Sequence, residues 1–250
     1  MRLARYDRAG EDRLAIVEGD ELIDILDAVD ATGGYYSEMA EKRAWFADMT
    51  SLIAAGPAGV EYLQTVADAN VARMAQADVK LLAPLDPGII LCSGENYWDH
   101  REEKPEVTAK EPEFFIKIPA TGVIGPGDDI VWDTKVTQKL DYETELAIVI
   151  GKAGRSIPHA QALDHVFGYT IANDVTARDR QVRTKDGMVW YDLGRGKAFD
   201  TSAPLGPCVV TADEIGDPQA LDLKTRINGE LRQSSNTARM IWTCADLIHF

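Results

Sequence analysis

Leu140-Asp141-Tyr142-Glu143-Thr144-Glu145-Leu146-Ala147-Ile148-Val149-Ile150 carries acidic side chains into an apolar, β-branched run. That composition predicts a strand, and strand side chains alternate faces. Glu143 and Glu145 are therefore expected on one face, followed by Ala147 and Val149. Tyr142, Thr144, Leu146, Ile148 and Ile150 take the other. Adjacent carboxylates repel, and burying them unpaired costs roughly several kcal/mol each. A divalent cation resolves the conflict, because hard cations such as Mg²⁺ prefer oxygen ligands. The stretch alone leaves open a solvated edge strand with two surface glutamates.

Three other stretches carry chemistry. Gly168-Tyr169-Thr170-Ile171-Ala172-Asn173-Asp174 is an apolar strand ending in Asn-Asp, where Asp174 supplies a third carboxylate or caps a helix. Arg178 and Gln181 follow, three residues apart, so a helical turn puts them on one face, suited to a carboxylate and a carbonyl oxygen. In Asn96-Tyr97-Trp98-Asp99-His100-Arg101-Glu102-Glu103, His100 and Glu103 are also spaced by three. Such a glutamate orients an imidazole and makes it a better general base; a charged surface helix is the plainer reading. Gly196-Lys197-Ala198-Phe199-Asp200-Thr201 offers Lys197 as fixed positive charge where negative charge builds up, or as one more surface lysine.

Around these stretches the chain reads as two units, 1–80 and 81–250. In the first, RLARYD and RLAIVEGDELIDI alternate as short strands, and two helices are expected between Tyr36 and Ala77, broken near Gly56-Pro57. Leu81 to Gly88, with two prolines, reads as a linker. Beyond it the texture is strand-like: GIILCSG, expected to be buried on both sides, EFFIKI, DIVWD, DYETELAIVI, PCVVT and LKTRING, with ALDHVFGYTIAND as a short helix running into a strand. The fold class expected is α+β and β-rich.

A net charge of −15 argues against nucleic acid and membrane partners and obliges any site for an acidic substrate to supply its own positive charge. No run approaches the ~20 apolar residues of a membrane span, and MRLARYDRAG does not read as a secretory signal. Cys92, Cys208 and Cys244 are far apart in mostly apolar surroundings, as reduced thiols of a cytoplasmic protein are.

The order of these stretches is more specific than any one of them. N-Y-x-x-H-x-x-E (96–103), P-x-F-F-x-K (112–117), D-Y-E-x-E-L-A-x-V-I-G-K (141–152), G-Y-T-x-x-N-D-x-T-A-R-D-x-Q (168–181), G-K-x-F-D-T (196–201), L-G-P (205–207), I-N-G-E (227–230) and T-x-x-M-I (237–241) together resemble the fumarylacetoacetate hydrolase family, from Leu91 to about Trp242. The resemblance implies a small N-terminal α/β domain, a catalytic domain built as a mixed β-sandwich roll, and a homodimer. It implies Glu143, Glu145 and Asp174 as ligands of Mg²⁺ or Mn²⁺. His100, Glu103 and Lys197 are implied as catalytic groups, and Arg178, Gln181, Lys117 and Thr201 as substrate contacts. Glu95 departs from the family, which more often has an apolar residue there. The resemblance also implies a further stretch after Leu247-Ile248-His249-Phe250, with a Gly-Asp turn and a Thr-Gly-Thr-Pro-like motif, so the sequence is expected to be part of a longer chain, the alternative being a protein that lacks strands its relatives have.

The activity implied first is C–C bond hydrolysis of a 2,4-dioxo acid of the acylpyruvate or fumarylpyruvate type, in aromatic or sugar-acid catabolism. His100, held by Glu103, would activate the water, and the products would be pyruvate and a carboxylic acid. The same family chemistry serves isomerases of hydroxymuconate-type diacids and oxaloacetate decarboxylases. A non-catalytic metal- or ligand-binding member is the reading from a different class.

Overall fold

The computed structural model describes residues 1–32, 42–68, 70–103 and 110–250. Its strands are β1 Arg2–Arg8, β2 Glu11–Glu18, β3 Glu21–Asp24, β4 Arg73–Ala75, β5 Lys80–Leu82, β6 Ile90–Ser93, β7 Phe114–Lys117, β8 Val123–Ile124, β9 Leu140–Asp141, β10 Thr144–Ile150, β11 Val166–Asn173, β12 Thr176–Ala177, β13 Val182–Lys185, β14 Met188–Tyr191, β15 Ala203–Thr211, β16 Asp222–Ile227 and β17 Glu230–Asn236. The helices used below are α1 Ile25–Ala31, α2 Met49–Asp68, α3 Trp98–Glu102, α4 Leu193–Lys197 and α5 Cys244–His249. The class is α+β and β-rich. Among the described residues no helix is long and apolar enough to cross a membrane.

Strand β1 organises the main sheet, which among the described residues has nine strands with the path β10-β11-β15-β1-β2-β3-β4. One edge of β1 pairs with β2. The other pairs first with β15, through Arg2 and Leu3, and then with β5, through Arg5 to Asp7. The pairing is antiparallel along this path, and β8 adds a parallel pair with β15. Leu3 faces a core formed with Leu14, Ile16, Ile23, Ile25, Phe46, Leu52, Leu63 and Val66, under α1 and α2. Ala4 and Tyr6 face a second cluster with Ala15 and Leu22. Both faces of β1 are thus dry, so its polar residues need partners. Buried Asp24 accepts the Tyr6 hydroxyl and the Arg13 guanidinium (Nε at 2.9 Å, Nη2 at 2.5 Å), and also caps α1 through the Asp27 amide at 2.8 Å.

Helix α2 kinks at Gly56, where φ is 60°, and Pro57 starts its second half, as the Gly-Pro pair predicts. The part of the expected helical region over 36–41 lies outside the described residues. Its far end is a correction: Arg73–Ala75 is strand β4, hydrogen-bonded to β3. The linker expected over 81–88 likewise begins inside β5.

Two strand expectations also need correcting. GIILCSG was expected to be buried on both sides, yet β6 pairs with β7 in a two-stranded sheet whose outer face leaves Leu91 and Ile116 about half exposed. DIVWD forms no strand: the Val131 amide donates to the Thr201 hydroxyl at 2.8 Å, which donates to the Val131 carbonyl at 3.2 Å. The Thr201 side chain thus takes the Val131 backbone groups that a neighbouring strand would have used.

Candidate active site

The E-x-E stretch is not one continuous strand. It breaks at Tyr142-Glu143 between β9 and β10, and the break re-aims Glu143. Backbone bonds fix the new position: the Asp174 amide donates to the Glu143 carbonyl at 2.8 Å, and the Glu143 amide donates to the Asn173 side-chain oxygen at 3.0 Å. The Asn-Asp turn after β11 is therefore bolted to the break after β9, which brings Glu143 and Asp174 together. Glu145, two residues on, sits opposite Ala172 of β11.

Two buried lysines answer the carboxylates. Lys197, only 4% exposed, places Nζ 2.6 Å from Glu143 Oε2, 2.5 Å from Asp174 Oδ2 and 3.0 Å from the Thr176 hydroxyl. Lys117, at the end of β7, places Nζ 2.6 Å from Asp174 Oδ1 and 3.2 Å from the Val175 carbonyl. Lys197 reaches this point because α4 lies against residue 181: a Cβ on Gly196 would come within 2.8 Å of Gln181 Cα, so only glycine allows the approach. Asp192 caps the same helix through the Arg195 amide. Arg178 ties in Asp141, with Nε at 2.7 Å, and Glu143, with Nη2 at 2.5 Å, while its Nη1 donates to Gln181 Oε1 at 3.3 Å.

The electrostatics are uneven. Burial would raise the Asp174 carboxyl, but Lys197 and Lys117 outweigh it and hold the group below its usual range. Lys197 is lowered by burial and raised more by Asp174 and Glu143, so it stays charged. Glu145 has no such help. Burial first, then the charges of Glu143 and Asp174, push its carboxyl up to about 8, with Lys197 opposing only in part. An acid with a raised value among other acids is a site short of positive charge.

Three carboxylates make an all-oxygen donor set that suits Mg²⁺ or Mn²⁺, and the missing charge at Glu145 is the kind a cation supplies. Among the described residues no group of three His, Cys, Asp or Glu side chains is placed to hold a metal ion. The Lys197 ammonium stands between Glu143 and Asp174 and serves as the local cation. The donor chemistry therefore fits, with Lys197 as the group that must yield.

The structure brings together Glu143, Glu145, Asp174, Lys197, Lys117, Arg178 and Gln181 from the sequence-derived set. It adds Thr176, which accepts from Lys197, and Asp141, which orients Arg178. Both lie inside quoted motifs, but nothing in their spacing distinguishes them from strand residues. Thr201 is spent on Val131 and on the Asp200 carbonyl. His100 and Glu103 lie at α3 with the expected spacing. The only bond between them is from the Glu103 amide to the His100 carbonyl, at 3.3 Å, and no side-chain bond joins them. A cleft of about 520 Å³, lined by Arg5, Ala83, Asp86, Ile124, Gly125 and Asp128, contains none of these groups.

Comparison with known proteins agrees with this frame. The family model for the fumarylacetoacetate (FAA) hydrolase C-terminal domain matches residues 89–250. An oxaloacetate tautomerase of Xenopus laevis, described as mitochondrial, is 41% identical over 201 residues, covering 80% of this chain and 61% of its own length. The oxaloacetate tautomerase YisK of Bacillus subtilis is 45% identical over 176 residues, 69% of this chain and 56% of its own. The chain thus spans about three-fifths of the length of the curated relatives it matches. The maleylpyruvate hydrolase of Sphingobium sp. SYK-6, solved with manganese(II) and pyruvate, superposes with a TM-score of 0.74 at 31% identity, covering 100% of this chain and 81% of that one. With its family model matched over more than half its length, the chain belongs to the fumarylacetoacetate hydrolase family.

Proposed function

We propose that this protein is a divalent-cation-dependent tautomerase of a small 2-oxo acid of the oxaloacetate type. It would move a proton between C3 and the 2-oxo oxygen. The observation that carries the reading is the buried cluster of Glu143, Glu145 and Asp174 with Lys117, Lys197 and Arg178. Glu143, Glu145 and Asp174 would hold Mg²⁺ or Mn²⁺, which supplies Lewis acidity toward a carboxylate and the adjacent oxo group.

The chain's own residues do the rest. Lys197 sets a charged ammonium where an enolate oxygen develops, and its burial makes that charge effective. Arg178 and Gln181, fixed to each other and to Asp141, offer N–H donors to the substrate carboxylate. His100 on α3 exchanges the C3 proton. A proton shuttle needs an imidazole that can take and return a proton. The likeness to tautomerases at 41% and 45% identity supports this choice over C–C hydrolysis. Hydrolysis of a 2,4-dioxo acid is the second reading, favoured by the likeness to maleylpyruvate hydrolase.

The test is product analysis. With Mn²⁺, enol-oxaloacetate and an acylpyruvate panel are followed by ultraviolet absorbance and NMR. Rapid ketonisation of oxaloacetate with no pyruvate formed supports the tautomerase. Pyruvate and a carboxylic acid from the acylpyruvates would replace it with the hydrolase.

A further inference from the structure

The I-N-G-E stretch, which the chemistry above leaves unused, is the turn of a hairpin. Asn228 and Gly229 both have positive φ, 52° and 84°, in the two-residue turn that sets Ile227 opposite Glu230. A bulge then shifts the register by one, so that Gln233 of β17 stands opposite Thr225 of β16. The Thr225 hydroxyl donates to Gln233 Oε1 at 2.8 Å. With its one hydrogen spent there, it accepts from the Thr144 hydroxyl.

Gln233 reaches the carboxylate cluster through the backbone between its two glutamates. Strand β10 lies at the end of the main sheet, and β11 pairs with its inner edge. On the outer edge the Thr144 amide donates to Gln233 Oε1 at 2.9 Å, and Gln233 Nε2 donates to the Thr144 carbonyl at 2.9 Å. A primary amide carries an acceptor and a donor side by side, as a peptide group does, so Gln233 serves Thr144 as a neighbouring strand would. The clamp sits where the chain leaves the break at Tyr142-Glu143 and enters β10, with Glu143 on one side and Glu145 on the other. Ser235, two residues on and so on the same face of β17, donates to Asp99 of α3 at 2.5 Å. One face of β17 thus braces both the carboxylates and the helix that bears His100.

We propose that Gln233 is a positioning residue: by clamping Thr144 it fixes where Glu143 and Glu145 stand, and so tightens the hold of the carboxylates on a divalent cation. The effect on affinity rests on the cation reading above. Gln233 acts through the Thr144 backbone and not by contact with the ion.

The experiment measures Mn²⁺ binding by electron paramagnetic resonance of the free ion, and hydrogen exchange of the Thr144 amide by NMR of the metal-free protein. Gln233→Met keeps the side-chain volume and deletes both bonds to Thr144. Its Mn²⁺ affinity is expected to fall about tenfold or more, as it does when a group that orients metal ligands is lost, and Thr144 exchange to quicken about tenfold. Thr225→Val leaves Gln233 in place and removes the hydroxyl that steers its oxygen; it is expected to lose about threefold in affinity, and it carries the test if Gln233→Met does not fold. Asn236→Ala breaks the hairpin's own bond to Asp222, at 2.9 Å, without touching Thr144, and is expected to bind Mn²⁺ within about twofold of wild type. Unchanged Thr144 exchange or unchanged Mn²⁺ affinity in Gln233→Met, or an equal loss of affinity in Asn236→Ala, overturns the proposal. A Thr144 amide freed in Gln233→Met, with no Mn²⁺ bound even by wild type, keeps Gln233 as the clamp and overturns the cation reading.

Discussion

Lys197→Met removes one charge from the centre of the carboxylate cluster and keeps most of the side-chain volume. The Lys197 side chain is 5% exposed, and its partners Glu143 and Asp174 are 13% and 8% exposed, so solvent screens little of the loss. Breaking a buried pair by deleting one partner costs about 3–5 kcal/mol. At about 2–4 °C per kcal/mol for a chain of this size, the metal-free variant unfolds roughly 6–20 °C below wild type. A divalent cation at 100 times its Kd returns about 2.7 kcal/mol, so Mn²⁺ recovers half or more of the deficit. The cation gains more in the variant than in wild type, because no ammonium has to yield to it. Scanning calorimetry of both proteins, in EDTA and in Mn²⁺, reads all four values. A metal-free variant within about 2 °C of wild type, or Mn²⁺ stabilising wild type more than the variant, refutes the assignment of Lys197 as the local cation.

The raised carboxyl of Glu145, at about 8, makes metal-free stability fall as pH climbs from the unfolded value near ~4.3 toward that figure, because the unfolded chain ionises first. Mn²⁺ uptake at pH 7 accordingly releases a proton, visible as a buffer-dependent heat, and Glu145→Gln abolishes that release. Asp24 has the opposite sign: burial would raise it, but hydrogen bonds from Arg13, the Asp27 amide and Tyr6 hold it low. Its contribution is complete above the unfolded value near ~3.9 and is lost as pH falls through the lower folded value, so Asp24→Asn costs about 3 kcal/mol at pH 7 and progressively less in acid, measured by urea unfolding. Gly168→Ala puts a Cβ 2.3 Å from the Val210 carbonyl across the β11–β15 pair, which is expected to cost about 3 kcal/mol or more in the same assay.

Motif order was the most legible part of the site: the resemblance it carries implied Glu143, Asp174 and Lys197 as site residues, and the three side chains meet. What the sequence could not show is how they meet. A strand through 140–150 predicts Glu143 and Glu145 on one face, whereas the break at Tyr142-Glu143 gives Glu143 to Lys197 and Arg178 and leaves Glu145 alone. Asp141 and Thr176 stayed invisible because their roles depend on pairing between β9 and β12, 35 residues apart in sequence at Thr176–Asp141. The N-terminal strands were readable from alternation, but the antiparallel pairing of β1 with β15, more than 200 residues away, is a non-local choice that alternation does not encode. DIVWD has the composition of a strand, yet its Val131 amide donates to the Thr201 hydroxyl and not to a neighbouring strand.

In the proposed reaction, proton transfer needs a cation held by Glu143, Glu145 and Asp174. Ketonisation of enol-oxaloacetate by wild type and by Asp174→Asn, each with Mn²⁺ and then with excess EDTA, tests it most directly. Wild type is expected to accelerate the reaction with Mn²⁺ and to lose that acceleration on adding EDTA, and Asp174→Asn is expected to be at least about 100-fold slower. Full activity of wild type in EDTA, or of Asp174→Asn with Mn²⁺, would contradict it.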